Sequence, residues 1–382
     1  MSDFTDLARR ALRDNGYSMC AAARAINYDP AYLSRVLNGK QQPSPKFAEA
    51  LDALVGAEGT LVGLLPGEPS LHTSVADEGI DGEIAHMRAT VAYLLDHDNR
   101  YGADAVAPAA VQVWNAAQRK LDSGRVPAHA LREYVSEVAE LAQVAGWLLI
   151  VAGQRDASRA AFLEAHMLAR HAGDRSKEWF ALDMLALHGI QYGRPHEALR
   201  IADEIQSQRR VPPRVMLLAR VRKARAFAAT GCGESALSEV AAARGGLAES
   251  ISPLDPAWAW WVDDCEISGH EGEVHLALGQ PDKAVSKMHH ALELATQQSA
   301  SGRRELAYTI ALLTAQAAGH AWRECEAALT AIPPLLESVS AGREYGRLRA
   351  TLRDLSRSAQ APHWLTDLAR DVASAPQLAI TA

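Results

Sequence analysis

From about Glu133 onward the chain repeats a simple arrangement: a glycine able to close a turn, then a small residue five positions later. The pairs are Gly153/Ser158, Gly193/Ala198, Gly231/Ala236 and Gly279/Ala284, with a weaker fifth copy at Gly319, where Glu324 replaces the small residue. Seven residues before these glycines stand Gly146, Ala186, Ala224, Gly272 and Leu312, and twelve after them Ala165, Ile205, Ala243, Ala291 and Ala331. Small side chains let two helices cross closely, so the spacing predicts helix pairs, each turned by its glycine and stacked on the next. Sheets are disfavoured, because strands favour β-branched and aromatic residues and only 6% of this chain is aromatic. The expected fold class is all-α.

The clearest copy, GEVHLALGQPDKAVSKMHHA at 272–291, resembles the tetratricopeptide repeat (TPR). Intervals between turn glycines are 40, 38, 48 and 40 residues, longer than the usual ~34, so the helices or connectors are extended. Four or five such units exceed the three that a stable solenoid needs. The first helix of each pair should line a groove. By register the inward residues include Gln143, Trp147, Asp183, Leu187, Gln191, Arg225, Glu273, Thr309 and Gln316. A surface mixing Trp and Leu with Asp, Arg and Gln suits a peptide or small-molecule effector. Packing against a partner subunit, or plain contact with water, is the other reading. The cluster Trp258, Trp260 and Trp261 falls in the longest interval and is expected to seal the core where a long connector folds back.

The first 66 residues break into four short helices. Phe4, Leu7, Ala8, Ala11 and Leu12 form a helical stripe that Gly16 ends; Ser18 starts a second helix to about Ile26. Asp29-Pro30 opens a third helix ending at Asn38-Gly39, and Ser44-Pro45 a fourth through Val55. Asp accepts from free amides at an N-cap, and proline at N1 has no amide to leave unpaired. Ala23, Ile26, Tyr28, Asp29, Leu33, Val36 and Gly39-Lys40 resemble the Cro/repressor type of helix-turn-helix, the XRE family, over about residues 3–65. Asn27 stands where that family usually has glycine, and Met19 where it often has a DNA-contacting glutamine.

On DNA, the third helix would enter the major groove, presenting Pro30, Ala31, Tyr32, Ser34 and Arg35 behind the capping Asp29. Arg35 is expected to read guanine through two hydrogen bonds, and Ala31 to meet a thymine methyl. Ser18, Asn38 and Lys40 are expected to hold phosphates. The net charge of the chain is −7, which excludes binding through overall basicity. From Arg9 to Lys46, however, seven basic residues face two acidic ones, so positive charge collects across the motif.

Pro66 to Gly82 is polar and rich in breakers, and is expected to be a linker at 67–82 between a DNA-binding domain at 1–66 and a repeat domain at 83–382. Glu83–His97 and Pro108–Leu121 read as amphipathic helices leading into the repeats. Met1 to Gly16 lacks the apolar run of a signal peptide, and Val144–Val151 is too short to span a bilayer, so a cytoplasmic protein with no membrane partner is expected. Cys20, Cys232, Cys265 and Cys325 lie far apart with no CxxC pair. His270-Glu271…His275 places its histidines five apart rather than four, and Gly231-Cys232-Gly233 lacks the preceding strand of a nucleotide fingerprint. His289-His290 point in different directions on a helix. No catalytic constellation, cofactor or metal is implied.

Taken together the layout resembles regulators of high-GC bacteria with an XRE head and a C-terminal TPR-like α-superhelix. The stretches NYDPAYLSRVLNGKQQPSP, AGWLLIVAGQRDASRAAFLEAHMLARHAGD and DPAWAWWVDDCEISGHEGEVHLALGQPDKAV carry the likeness. It implies a homodimer on double-stranded DNA with two operator half-sites, and an effector in the concave face. The competing reading is an interaction scaffold whose N-terminal bundle contacts protein.

Overall fold

The computed structural model describes residues 2–15, 17, 19–26, 33, 36–37, 45–55, 57, 79–297 and 302–379. The chain divides into two compact units, Met1–Val75 and Ala76–Ala382. Among the described residues both are all-α.

In the first unit α1 (Ser2–Asp14), α2 (Met19–Ala25) and α3 (Pro45–Val55) start and stop close to their sequence signals. Phe4, Ala8 and Leu12 of α1 meet Ala22, Ala23, Phe47, Ala48 and Leu51, all buried. Leu33, Val36 and Leu37 join the same core, as the expected third helix requires of its inner face. Asn15 Nδ2 donates to the Val55 carbonyl at 3.3 Å, tying the end of α1 to that of α3.

The second unit opens with α4 (Gly79–Tyr101) and α5 (Ala107–Asp122). Helix α4 begins four residues before its expected start at Glu83, at Gly79, whose φ of +66° suits glycine. Then come α6 (Leu131–Val151) with α7 (Arg155–Ala172), α8 (Arg175–Gln191) with α9 (Pro195–Ser207), and α10 (Pro213–Ala229) with α11 (Gly233–Gly246). A 3-10 turn, Ala257–Trp261, occupies the long interval. It is followed by α12 (Asp264–Ala277) with α13 (Pro281–Gln297), α14 (Gly302–Ala318) with α15 (Trp322–Ser338), α16 (Gly342–Arg357) with α17 (His363–Ala373), and short α18 (Pro376–Ala379). Caps fix the starts locally. Asp174 accepts from the Lys177 amide before α8 and Asp263 from the Glu266 amide before α12, while Pro195, Pro213 and Pro281 sit in first turns.

The turn glycines Gly153, Gly193, Gly231 and Gly279 all have φ between +69° and +79°. The small residues fall at helix crossings: a Cβ on Gly146 would lie 2.7 Å from the Phe162 ring, and one on Gly272 2.7 Å from Met288. The fifth copy is displaced by one residue from its expected place. His320, not Gly319, takes the left-handed turn at φ +57°, and its ring stacks on Trp322 at 5.0 Å. With the register moved by one, Leu313, Cys325 and Ile332 occupy the packing positions, each fully buried, whereas Glu324 and Ala331 are exposed.

Helix α6 is 21 residues long and apolar enough to cross a membrane by length and composition, yet 83% of that stretch is buried inside the array. It is the central core helix. Its apolar character reflects burial on several faces by α4, α5, α7, α8 and α16.

The inner helices form a closed circuit. Helix α6 packs on α8, α8 on α10, α10 on α12, α12 on α14, α14 on α16, and α16 returns to α6, with α4 bridging α6 and α14. A seam completes it. The Ser340 amide donates to the Tyr101 carbonyl at 2.7 Å, and the Ser340 hydroxyl and Gly342 amide donate to the Asp104 carboxylate at 2.7 and 3.3 Å.

Candidate functional site

The circuit encloses a cavity of about 1250 Å³ to which every inner helix contributes. Of the expected groove residues, Gln143, Trp147, Leu187, Gln191, Arg225 and Glu273 line it together; Asp183, Thr309 and Gln316 do not. Asp183 lies behind the wall, paired with Arg222. The Thr309 hydroxyl turns back to the Glu305 carbonyl at 2.8 Å. Gln316 is buried off the cavity. Of the three residues expected ten before a turn glycine, Gln143, Asp183 and Thr309, only Gln143 faces the cavity.

A rule emerges from the true register. The residue nine before each turn position, Val144, Met184, Arg222, His270 and Ala311, faces the cavity in all five copies. The residue six before it, Trp147, Leu187, Arg225 and Glu273, does so in four. The nine-back position was the signal by which Arg222 and His270 could have been found from sequence. Arg303, Arg343, Glu344 and Arg347 also line the cavity. The last three lie on α16, whose pair has no turn glycine to mark it. The tryptophan cluster does two things. Trp258 and Trp261 pack with Leu218 and Val262, as the sealing role requires, but Trp258, Trp260 and Trp261 also line the cavity, with Trp260 64% exposed. Trp258 Nε1 donates to Ser176, and its ring meets Phe180 edge-on at 5.2 Å.

The charged wall is a network. Arg222, fully buried, makes a two-pronged pair with Asp183 at 2.8 and 2.9 Å. Next to it His270 Nε2 lies 2.9 Å from Glu266 Oε1, and Nδ1 faces Arg225 at 3.2 Å. Burial lowers the His270 pKa, and Arg222 and Arg225 lower it further against the opposing pull of Glu266. Arg222 Nη1 also lies 2.7 Å from Nε2, so the ring stands between one carboxylate and two guanidiniums, which disfavour a further positive charge on it. Glu273 is shared: Arg347 reaches one oxygen at 2.6 Å and Arg225 the other at 3.3 Å. Beside Arg343, whose guanidinium lies 5.9 Å over the Trp147 ring, Trp147 Nε1 donates to Asp98 at 2.8 Å. Arg303 pairs with the same carboxylate oxygen at 3.0 Å while its guanidinium lies 5.0 Å over the Trp147 ring. The other Asp98 oxygen, buried, has no hydrogen-bond partner among the described residues.

Burial alone would raise the Glu273 pKa, but Arg347 and Arg225 outweigh it and bring it to about 2. A carboxyl held below its unfolded value of 4.5 binds fewer protons folded than unfolded. Its contribution to stability is therefore full above pH ~4.5 and lost as the pH falls toward ~2. Acid unfolding followed by circular dichroism should show Glu273→Gln less stable than the wild type at pH 7, with the difference shrinking over that window. A constant difference across it would rule out the ion pair as the cause.

The histidines of the zinc-like sequence go separate ways, His270 to Glu266 and the arginines and His275 to Gln280 at 3.0 Å. No group of three or more His, Cys, Asp or Glu among the described residues is placed to hold a metal ion. In the first unit, Ser18, Asp29, Pro30, Ala31, Tyr32, Ser34, Arg35, Asn38 and Lys40 lie outside the described residues.

Residues 5–65 match the family model described as a helix-turn-helix domain. No curated protein matches the chain. Among solved structures, one similar chain is Bacillus thuringiensis PlcR, in a crystal structure with the peptide PapR7 and DNA. It is 11% identical with a TM-score of 0.35, the match covering 78% of this chain and 98% of that one. The N-terminal unit of this chain thus carries a helix-turn-helix domain, and an all-α array of paired helices follows it.

Proposed function

We propose that the chain is a sequence-specific, DNA-binding transcriptional regulator whose TPR-like array senses an effector in its cavity. The helix-turn-helix match over residues 5–65 carries this reading. The buried Leu33, Val36 and Leu37 support it, since they supply the apolar inner face that a recognition helix needs. On this reading the protein acts in the cytoplasm as a homodimer on two half-sites. Effector binding then alters operator affinity only to the extent that the effector prefers one arrangement of the two heads. The cavity is of a size that holds a peptide fragment or small molecule.

Selection of genomic DNA fragments by the purified chain should enrich a palindromic site, and binding should weaken steeply with salt because phosphate contacts release counterions. Arg35→Ala should lower preference for the selected site about tenfold or more, the worth of a two-pronged guanine contact. Unchanged preference would remove Arg35 from base reading. Absence of any enrichment at low salt would count against the regulator itself.

A further inference from the structure

The cavity wall is two-sided. Helices α4, α6 and α8 and the 3-10 turn supply nearly all the large apolar side chains, among them Leu95, Phe180, Met184 and Trp258. The cations on that side are already matched, Arg88 by Glu137 at 3.0 Å and Lys177 by Glu140 at 2.9 Å. Helices α10, α12, α14 and α16 supply six arginines against three glutamates. Part of that excess is answered from outside the cavity, where Asp183 holds Arg222 and Asp263 holds Arg304 at 3.1 Å. Arg225 and Arg347 share the single carboxylate of Glu273, and Arg343, one helical turn before Arg347, pairs with its neighbour Glu344 at 2.5 Å and lies 5.9 Å over the Trp147 ring. Arg225, Arg343 and Arg347 thus share two carboxylates beside an apolar chamber, while six carboxylates balance the six arginines of the wall as a whole.

We infer that the cavity binds a small amphipathic acid, its single carboxylate against Arg225, Arg343 and Arg347 and its apolar body against Phe180, Met184 and Trp258. A planar guanidinium matches a carboxylate through two parallel hydrogen bonds, and desolvation strengthens the contact. The crowding is visible in Arg225, whose pKa is lowered by burial and further by Arg222, Arg347 and Arg343. The inference rests on the cavity being the effector site of the regulator.

The test titrates the full chain with decanoate, 1-decanol and inorganic phosphate, all below any micelle-forming range, and follows emission from the cavity tryptophans. Decanoate is expected to bind about tenfold tighter than decanol or more, since a charge-assisted contact is worth that much, and phosphate alone is expected not to compete. Arg347→Gln should weaken decanoate about tenfold and leave decanol within about twofold, while Arg347→Lys retains most of the decanoate affinity. Phe180→Ala should weaken both probes. Equal binding of acid and alcohol, equal loss of both in Arg347→Gln, or binding of neither overturns the proposal. DNA-fragment selection with the same preparation separates the failures. If DNA is selected and no acid binds, only the ligand class falls; if neither occurs, the regulator reading falls with it.

Discussion

Arg222→Met is expected to destabilise the array by about 3–5 kcal/mol, the cost of leaving a buried carboxylate without its partner. Both side chains of the Arg222–Asp183 pair are only 1% exposed, so water cannot replace the guanidinium once it is gone. The pair sits between α8 and α10, and through Arg222 Nη1, 2.7 Å from His270 Nε2, it reaches α12. Three inner helices are therefore registered by one cation. The double variant Arg222→Met/Asp183→Leu removes both charges and fills the space with apolar atoms, and is expected to recover most of the loss, to within about 1–2 kcal/mol of the wild type. Urea unfolding of the four proteins in the cycle measures this. Additive losses in the double variant would show that packing, not the unpaired charge, sets the cost.

Gly102→Ala should cost about 3 kcal/mol or more through a different mechanism. Gly102 has φ +86°, and a Cβ there would stand 1.9 Å from the Ser340 carbonyl oxygen, backbone that cannot swing aside as a side chain can. Gly231→Ala is the control. Its φ is +79°, but a Cβ would meet nothing within 4 Å, so it bears only the left-handed penalty of about 1–2 kcal/mol. Chemical unfolding of the two variants separates strain from collision, and equal losses would mean that the seam contributes nothing beyond backbone conformation. Since Gly102 lies on the seam, the variant should also reduce protection of the Ser340 amide, which donates to Tyr101, in hydrogen exchange.

Local signals in the sequence are the ones the structure repeats. Asp174 and Asp263 as caps, Pro195 and Pro281 in first turns, and Gly153 or Gly279 at turns are each set by interactions within a few residues, so they can be read from the chain alone. Where a local rule was met by an unusual residue, the reading slipped. His320 takes a left-handed conformation that glycine normally fills, and the one-residue displacement put exposed Glu324 and Ala331 where buried Cys325 and Ile332 pack. The α16–α17 pair went unmarked because its connector at Ser358–Pro362 has no glycine, and so Arg343 and Arg347 were missed. The closure of the array joins residues near 102 to residues near 340, and no periodicity records a contact at that separation. Closure is what sets Arg343, Glu344 and Arg347 of α16 beside α6 in the cavity wall.

Closure also changes what the repeats can do over time. In an open array each unit leans only on its neighbours, so the two ends melt first and units can be gained or lost with small consequence. Here α16, the last inner helix, leans on α6, the first, and neither is an end. The array therefore has no place from which to fray, and its unit count is fixed in the way the staves of a barrel are fixed: removing one pair would leave Asp104 with no Ser340 to meet.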